Sequence, residues 1–468
     1  MAPKTFKPFS ELHAAINPKL EAVCKMETGR FCYVKVVQHA MTYSENKSTD
    51  KLIAGAMTKG NWSTRLHYIL RHLSRRPKLP NIDWRDTAIL EQGRVVKDDR
   101  DIDVSFYFDT IVSTIGRDRC TILSPEGSPL PSDCSTASIP HLANLSLDAL
   151  ERGLLKEVKE AYNRFGDSGV FSPSELAYVG SALHVFFEEF HAYYHLLRNS
   201  GIKRFIFENH YHREGMIAAC KVLGIEAIEI QHGLIAENDL YYCYPEFIKS
   251  VRDRALFPDL LLLYGDYWKK LILKGHEHTS ESLAVVGCYN YGAHELTYDP
   301  KDKENLILVG AQKNMPEVYV DYIRQLSQVI AEKHTSWRIV VKLHPFEKEV
   351  EKYLALAHEI GGIKIVTSGD IIPLLKSSKI QISIYSTTFY DALGLDVLNL
   401  SIQDYGYSWD YARDVVKEGV AHPISFADDP VEIYEQARQN SDSFLPRSAV
   451  YAKFDVRIFL KSLKLRDL

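Results

Sequence analysis

The chain has 468 residues, 46% of them hydrophobic and 25% charged, with a formal net charge of −5. A chain this long exceeds one ordinary core, so about two to three domains are expected, and a balanced, slightly acidic composition gives no general affinity for nucleic acid or an anionic membrane. Its seven cysteines are scattered without a C-x-x-C pair, which excludes a disulfide framework or a zinc ribbon and suggests reduced thiols. The longest apolar run, "DLLLLY" at 259–264, falls far short of the ~20 residues of a spanning helix. The N-terminal "MAPKTFKPFSELH" lacks the apolar core of a secretion signal, so a cytoplasmic protein is expected.

In chain order, "RFCYVKVVQHAM" (30–41) predicts a strand and "NWSTRLHYILRHLSRRPKLPN" (61–81) a helix ended by Pro77. "DTAILEQG" (86–93) predicts a strand, "DVSFYFDTIVSTIG" (103–116) a helix closed by Gly116, and "RCTILSPEGSP" (119–129) another strand. Residues 130–200 are expected to be helical, with one helix capped at Ser146 or Asp148 and a second starting at Ser172-Pro173. Strand–helix alternation then becomes clear from 203 to 287 and, after a polar stretch at 294–305, again from 305 to 402. Such alternation means parallel sheets covered on both faces. The expected class is therefore α/β: a Rossmann-like first domain over 1–290 with a helical insertion at about 130–200, a Rossmann-like second domain over 291–430, and a helical tail over 431–468. In such sheets ligands bind at the carboxyl ends of the strands, and a two-domain chain offers the cleft between them.

The strand-end residues are unusual. "AIEIQHG" runs from a strand into Gln231, His232 and Gly233, and "IFENHYHREG" ends a neighbouring strand on Glu208 ahead of His210 and His212. Glu126, in "SPEG", ends another strand of the same half. These histidines and carboxylates, with Glu237, are candidates for acid–base work, and Gly233 would let the chain turn sharply beside His232. His210 and His212 are as well explained as caps of the helix that follows.

In the second half "RIVVKLHP" ends on His344-Pro345, and "ISIYSTTFYDALG" runs from a strand into Ser386, Thr387 and Thr388, where a helix begins. Helix-start amides and hydroxyls suit a phosphate, although an ordinary N-cap would look the same. A lone strand-end histidine is ordinarily a surface or capping residue; one lying about one strand–helix–strand unit from three hydroxyls points to a shared ligand. "NLILVGAQKN" adds Gly310, for close backbone approach, and Lys313, for a diphosphate charge, although a solvated loop lysine is the simpler account of Lys313. No Walker or dinucleotide loop is present. "DID" at 101–103 fits a cap better than a metal site, and His191 and His195 lack the H-E-x-x-H pattern, so no metal or other cofactor is expected. The basic, amphipathic stretch 64–78, with Arg71 and Arg75, is expected on the acceptor side, where it could touch the inner face of the cytoplasmic membrane.

Strand–Gln231-His232-Gly233, then strand–His344-Pro345, then strand–Ser386-Thr387–helix, resembles the GT-B glycosyltransferases. The resemblance is nearest to bacterial surface-polysaccharide enzymes that use CMP-sugars and to CDP-polyol phosphotransferases; more distantly, the stretch 208–233 resembles UDP-N-acetylglucosamine 2-epimerases. It implies two Rossmann-like halves across a cleft. The donor nucleotide's phosphate would be held by His344 with Ser386 and Thr387, and His232 would serve as a base. It further implies sugar transfer from a CMP-, CDP- or UDP-linked donor to a glycan or lipid-linked acceptor, as in capsule or O-antigen synthesis. A sugar-nucleotide epimerase, a polyol-phosphate transferase and a non-catalytic nucleotide-sugar binder remain the alternatives.

Overall fold

A computed structural model of the chain describes residues 9–46, 82–91, 95–97, 103–105, 107–125, 135–139, 146–233, 235–237, 239–289, 303–313, 315–393, 395–404, 410–439, 450 and 452–465. Its strands, in chain order, are β1 (Thr87–Leu90), β2 (Val95–Lys97), β3 (Asp103–Ser105), β4 (Cys120–Pro125), β5 (Ser135–Ile139), β6 (Arg204–Glu208), β7 (Glu226–Ile230), β8 (Leu260–Leu263) and β9 (Leu283–Val285). They continue with β10 (Leu306–Ala311), β11 (Arg338–Leu343), β12 (Ile363–Val366), β13 (Ile380–Ser383), β14 (Leu398–Ile402) and β15 (His422–Ile424).

Two parallel sheets organise these strands. The first has seven in the order β5-β4-β1-β6-β7-β8-β9, and the second has six in the order β12-β11-β10-β13-β14-β15. Each order reverses direction within the sheet, which makes both doubly wound, and central strands such as β8 and β10 are continuous apolar runs because both faces are covered. Leu260–Leu263 and Leu306–Ala311, for example, are buried at every position. This is the α/β arrangement of two doubly wound parallel sheets expected from the sequence.

One face of the first sheet carries a helical layer that includes Phe9–Met26, Val34–Asn46, Ala149–Asp167 and Pro173–Leu197. Asp148 and Ser172 each cap a helix through a reciprocal capping box, with Glu151 and Glu175 respectively. The opposite face packs against the helix Asp266–Ile272 and, from far along the chain, Phe389, Tyr390, Val415, Phe459 and Leu463. Trp268 Nε1 donates to the Val450 carbonyl at 2.9 Å, and Cys288 N–H donates to the Ala452 carbonyl at 2.9 Å. The last described segment thus returns from the second sheet to the first. Gly287 makes the crossing possible. Its φ is +86°, and a Cβ there would lie 2.3 Å from the Lys453 carbonyl oxygen.

Several expected elements differ. The strand expected at 30–41 is the start of the helix Val34–Asn46. Lys35, Gln38, His39 and Thr42 do recur at the helical spacing, but residues 31–41 are buried at every position and the run Val34, Val36, Val37 reads as a strand. The helix expected from 103 begins only at Asp109, because Asp103–Ser105 pairs antiparallel with Val95–Lys97. Asp103 is therefore in a β-ribbon and not a helix cap. Within the stretch expected to be helical, Ser135–Ile139 is an edge strand of the first sheet. The helix Asp410–Lys417 and strand β15 carried no expectation. The stretch 64–78 with Arg71 and Arg75, together with Asp101 and Glu126, lies outside the described residues. No helix among the described residues is long and apolar enough to cross a membrane.

Candidate active site

At the mouth of the first sheet, β7 ends at Ile230 and the next three residues are Gln231, His232 and Gly233. Gln231 is buried and fixed at both ends. Its Oε1 accepts from Tyr264 N–H at 3.0 Å, its Nε2 donates to the Gly233 carbonyl at 3.0 Å, and its own carbonyl accepts from the Tyr289 hydroxyl. It braces the turn and offers no group to a ligand. His232 is half-buried. Its Nε2 lies 3.0 Å from the Tyr211 hydroxyl, and its carbonyl accepts from the Tyr107 hydroxyl at 3.2 Å. Burial raises the Tyr211 phenol well above its ordinary range, which keeps it protonated.

Tyr211 reaches His232 from a strained turn. Asn209 and His212 both hold left-handed backbones, at φ 68° and 62°. The Asn209 side chain stabilises the bend by accepting Tyr211 N–H at 3.0 Å. Non-glycine residues in this region cost of order 1–3 kcal/mol each and cluster at functional sites. Neither His210 nor His212 caps the following helix, whose N-terminus has no side-chain cap. His210 is fully buried, with Nδ1 on Glu229 Oε2 and Nε2 2.9 Å from the Tyr241 carbonyl. Burial alone would raise the Glu229 pKa, but His210, Tyr242 and His232 outweigh it and hold the carboxylate at about 2. This buried, hydrogen-bonded pair lies beneath the mouth. Glu208 ends β6 opposite Ile230, half-buried and close enough to Tyr211 for its charge to add to the raised phenol.

In the second sheet the strand order decides the geometry. His344 follows β11, Gln312 and Lys313 follow β10, and Tyr385–Thr387 follow β13, and these three strands are adjacent in the order β11-β10-β13. Two inter-strand steps separate His344 from Thr387, about 10 Å at the usual strand spacing. His344 is half-buried, and its Nδ1 accepts from Phe346 N–H at 3.1 Å, which leaves Nε2 as the protonated nitrogen in the neutral ring. Lys313 is exposed on the intervening loop. Gln312 Nε2 donates to the Tyr385 carbonyl at 2.6 Å and ties two of the loops together.

The three hydroxyls are not equivalent. Ser386 Oγ accepts from Thr388 N–H at 3.2 Å and from the Thr388 hydroxyl at 2.8 Å, and Thr388 in turn accepts from Gln381 Nε2. Those two side chains build the corner, as an ordinary cap does. Thr387 is exposed. The helix behind them, Thr388–Leu393, is only six residues long, so its dipole is a weak phosphate anchor. Gly310 lies inside β10, paired with Lys342 and carbonyl-bonded to the Ser383 hydroxyl at 2.7 Å, rather than at the mouth. A Cβ on it would meet only ordinary contacts, the nearest 3.6 Å away, so it serves sheet packing.

The two mouths meet. A Cβ placed on Gly233 would lie 3.7 Å from Thr387 Cγ2. The chain bends at Gly233 without a left-handed φ, so it is the small size of the glycine, rather than its backbone freedom, that matters where the halves approach. Nearby, Glu237 forms ion pairs with Lys274 of the first half and Lys417 of the second, and its N–H donates to Asp414 at 2.9 Å. Glu237 is thus an inter-half tie rather than an acid–base group. Tyr107, Tyr211, Tyr289 and Gln312 were not anticipated. The run "ENHYHREG", dense in polar rings at a strand end, was the available signal for Tyr211.

No family model matches the chain, and no curated protein matches it. Among solved structures, S. aureus MnaA in a co-structure with UDP is similar at 13% identity over 82% of this chain and 97% of that one, with a TM-score of 0.47. The Methanocaldococcus jannaschii UDP-GlcNAc 2-epimerase is similar at 11% identity over 81% and 99%, with a TM-score of 0.49. The calicheamicin glycosyltransferase CalG4 is similar at 12% identity over 81% and 95%, with a TM-score of 0.44. Likeness at this level carries no substrate or reaction to this chain.

Proposed function

We propose that the chain is a sugar-nucleotide-dependent glycosyltransferase acting in the cleft between the two sheets. The observation that supports this most is the approach of Gly233 to Thr387, which joins the Gln231-His232-Gly233 and Ser386-Thr387-Thr388 corners in one site. The donor nucleotide's phosphates would lie along the mouth of the second sheet, with His344 Nε2–H at one end, the Thr387 hydroxyl at the other and Lys313 between them. These are neutral or cationic donors, suited to the negative charge that grows on the leaving phosphate. Ser386, Thr388 and Gln312 set the backbone that presents Thr387.

On the acceptor side, His232 would take the proton of the attacking hydroxyl at Nε2, turning that nitrogen from its 3.0 Å contact with the Tyr211 hydroxyl to the acceptor, with Glu208 as the nearby carboxylate. The acceptor oxygen bonds to the anomeric carbon, the bond from that carbon to the phosphate oxygen breaks, and the nucleotide leaves with the electron pair. A positioned base contributes ~10²–10⁴-fold. No step assigned here passes through a metal. A glycan or lipid-linked acceptor of bacterial surface polysaccharide is the class this reading favours.

The test is a product assay with CMP-, CDP- and UDP-sugars, each with and without a glycan acceptor. Acceptor-dependent release of free nucleotide is expected. Conversion of a sugar nucleotide alone into its epimer would replace transfer by epimerisation. Nucleotide binding without turnover of any donor would make the chain a binding protein.

A further inference from the structure

Away from the cleft, the helical layer over the first sheet holds a second constellation that the proposed transfer does not use. Glu151, His191 and His195 are all buried, and one ligand atom from each lies within 4.8 Å of the others. It is the one group of three or more metal-ligating side chains so placed among the described residues. We propose that these three side chains hold a borderline divalent transition-metal ion, of which zinc is the type, with water in the fourth coordination position.

The sequence builds the site from two helices. His191 and His195 are four residues apart in Pro173–Leu197, so their rings project from one face one turn apart, with centroids 4.6 Å from each other. Glu151 comes from the first turn of Ala149–Asp167, where the capping box fixes its carboxylate. Asp148 N–H donates to Glu151 Oε2 at 2.8 Å, and Glu151 N–H donates to Asp148 Oδ1 at 3.0 Å. The carboxylate then offers one oxygen to each ring, Oε1 to His191 Nδ1 and Oε2 to His195 Nε2 at 3.1 Å. Four-coordinate zinc with bonds of ~2.0–2.1 Å needs ligand atoms about 3.3 Å apart. The edge from Glu151 Oε2 to His195 Nε2, at 3.1 Å, is already close to that, and the other two edges, neither longer than 4.8 Å, would reach it by side-chain rotation.

The donor set selects the ion. Two imidazoles and one carboxylate suit zinc, cobalt or nickel, whereas magnesium and calcium prefer oxygen ligands throughout. The capping-box N–H on Oε2 is the kind of outer hydrogen bond that orients a ligating carboxylate. Nearby charge is nearly balanced: Asp148 Oδ2 accepts from the Tyr194 hydroxyl at 2.9 Å and lies 3.7 Å from Arg198. The bound ion would cross-link two long helices of the layer that covers the first sheet, and so stabilise the native chain without touching the cleft.

The test uses the full chain, stripped with EDTA, dialysed, and titrated with ZnCl2, CoCl2 or MgCl2. One equivalent of cobalt should bind with the visible absorption of a low-coordinate site, and zinc should displace it. Zinc should also raise Tm by ~3 °C or more while magnesium does not. His191→Ala and, separately, Glu151→Gln should abolish both effects. Wild-type protein that shows neither cobalt absorption nor a zinc-dependent Tm rise would overturn the proposal and leave a hydrogen-bonded tie between the helices. Zinc binding that persists equally in His191→Ala would overturn it as well. The wild-type arm decides the question even if a variant does not fold.

Discussion

Gly233 and Thr387 lie 154 residues apart in the sequence, yet a Cβ on the glycine would touch the threonine methyl at 3.7 Å. Each follows a strand of a different parallel sheet, and each is flanked by the polar residues of its own corner. A contact at ordinary van der Waals distance tolerates one methyl group and no more. Gly233→Ala should therefore keep turnover within a few-fold of wild type. Gly233→Leu should lower kcat/KM by more than tenfold with Tm nearly unchanged, because the added atoms fill the cleft rather than the core. Steady-state kinetics with thermal denaturation checks both; a Leu variant as active as wild type would remove Gly233 from the site.

The Tyr211 hydroxyl is a polar partner of the His232 ring. Removing a neutral hydrogen bond costs ~0.5–1.5 kcal/mol, so Tyr211→Phe should reduce kcat about three- to tenfold with little change in KM for the nucleotide donor. If Tyr211 positions a base, the acid limb of the pH–rate profile should move as well. A Phe variant with wild-type kcat and an unmoved profile would reduce Tyr211 to packing.

His278 is buried, and burial pushes its imidazole down to about 3 from an ordinary 6.5. The unfolded chain therefore binds a proton here that the native chain refuses. The contribution of His278 to stability is present above about pH 6.5 and is lost as pH falls toward 3, at ~1.4 kcal/mol per pH unit. Urea denaturation at a series of pH values from 7 to 4 should show a shallower acid decline in His278→Gln than in wild type. Parallel declines would show that the native histidine takes up its proton as readily as the unfolded one.

Gly287 stands where the returning chain crosses β9, and its Cβ would meet backbone at 2.3 Å in a left-handed conformation. Gly287→Ala combines backbone strain with a clash that no side chain can relieve. A loss of at least ~2 kcal/mol is expected in denaturant titrations. A loss below ~0.5 kcal/mol would mean that the crossing gives way easily.

Where strands were apolar and helices had one polar face, the fold could be read directly: β6 to β14 and the helix Pro316–Lys333 alternate within 203–287 and 305–402, the two stretches that patterning marked. Val34–Asn46 was misread because its β-branched valines at 34, 36 and 37 outweighed the helical spacing of Lys35, Gln38, His39 and Thr42, whose polar side chains are themselves mostly buried. The ribbon β2–β3 escaped because three-residue strands carry almost no pattern. At the candidate site, His232, His344 and Thr387 could be picked out because polar residues ending apolar strands stand out. What could not be read was how the three hydroxyls divide, since Ser386 and Thr388 are claimed by each other and by Gln381, a partner within β13. Tyr211 was equally hidden, because its reach to His232 depends on two left-handed residues whose φ no composition reveals.

The proposed transfer requires a nucleotide lying along the mouth of the second sheet. Isothermal titration of the full chain with CMP, CDP, UDP and GDP, repeated on His344→Ala, tests this most directly. One nucleotide should bind at a single site. His344→Ala should weaken it by tenfold or more, the scale of a lost charge-assisted hydrogen bond of ~1.5–3 kcal/mol. Failure of every nucleotide to bind at millimolar concentration, or equal affinity in wild type and His344→Ala, would contradict the assignment of that mouth to the donor.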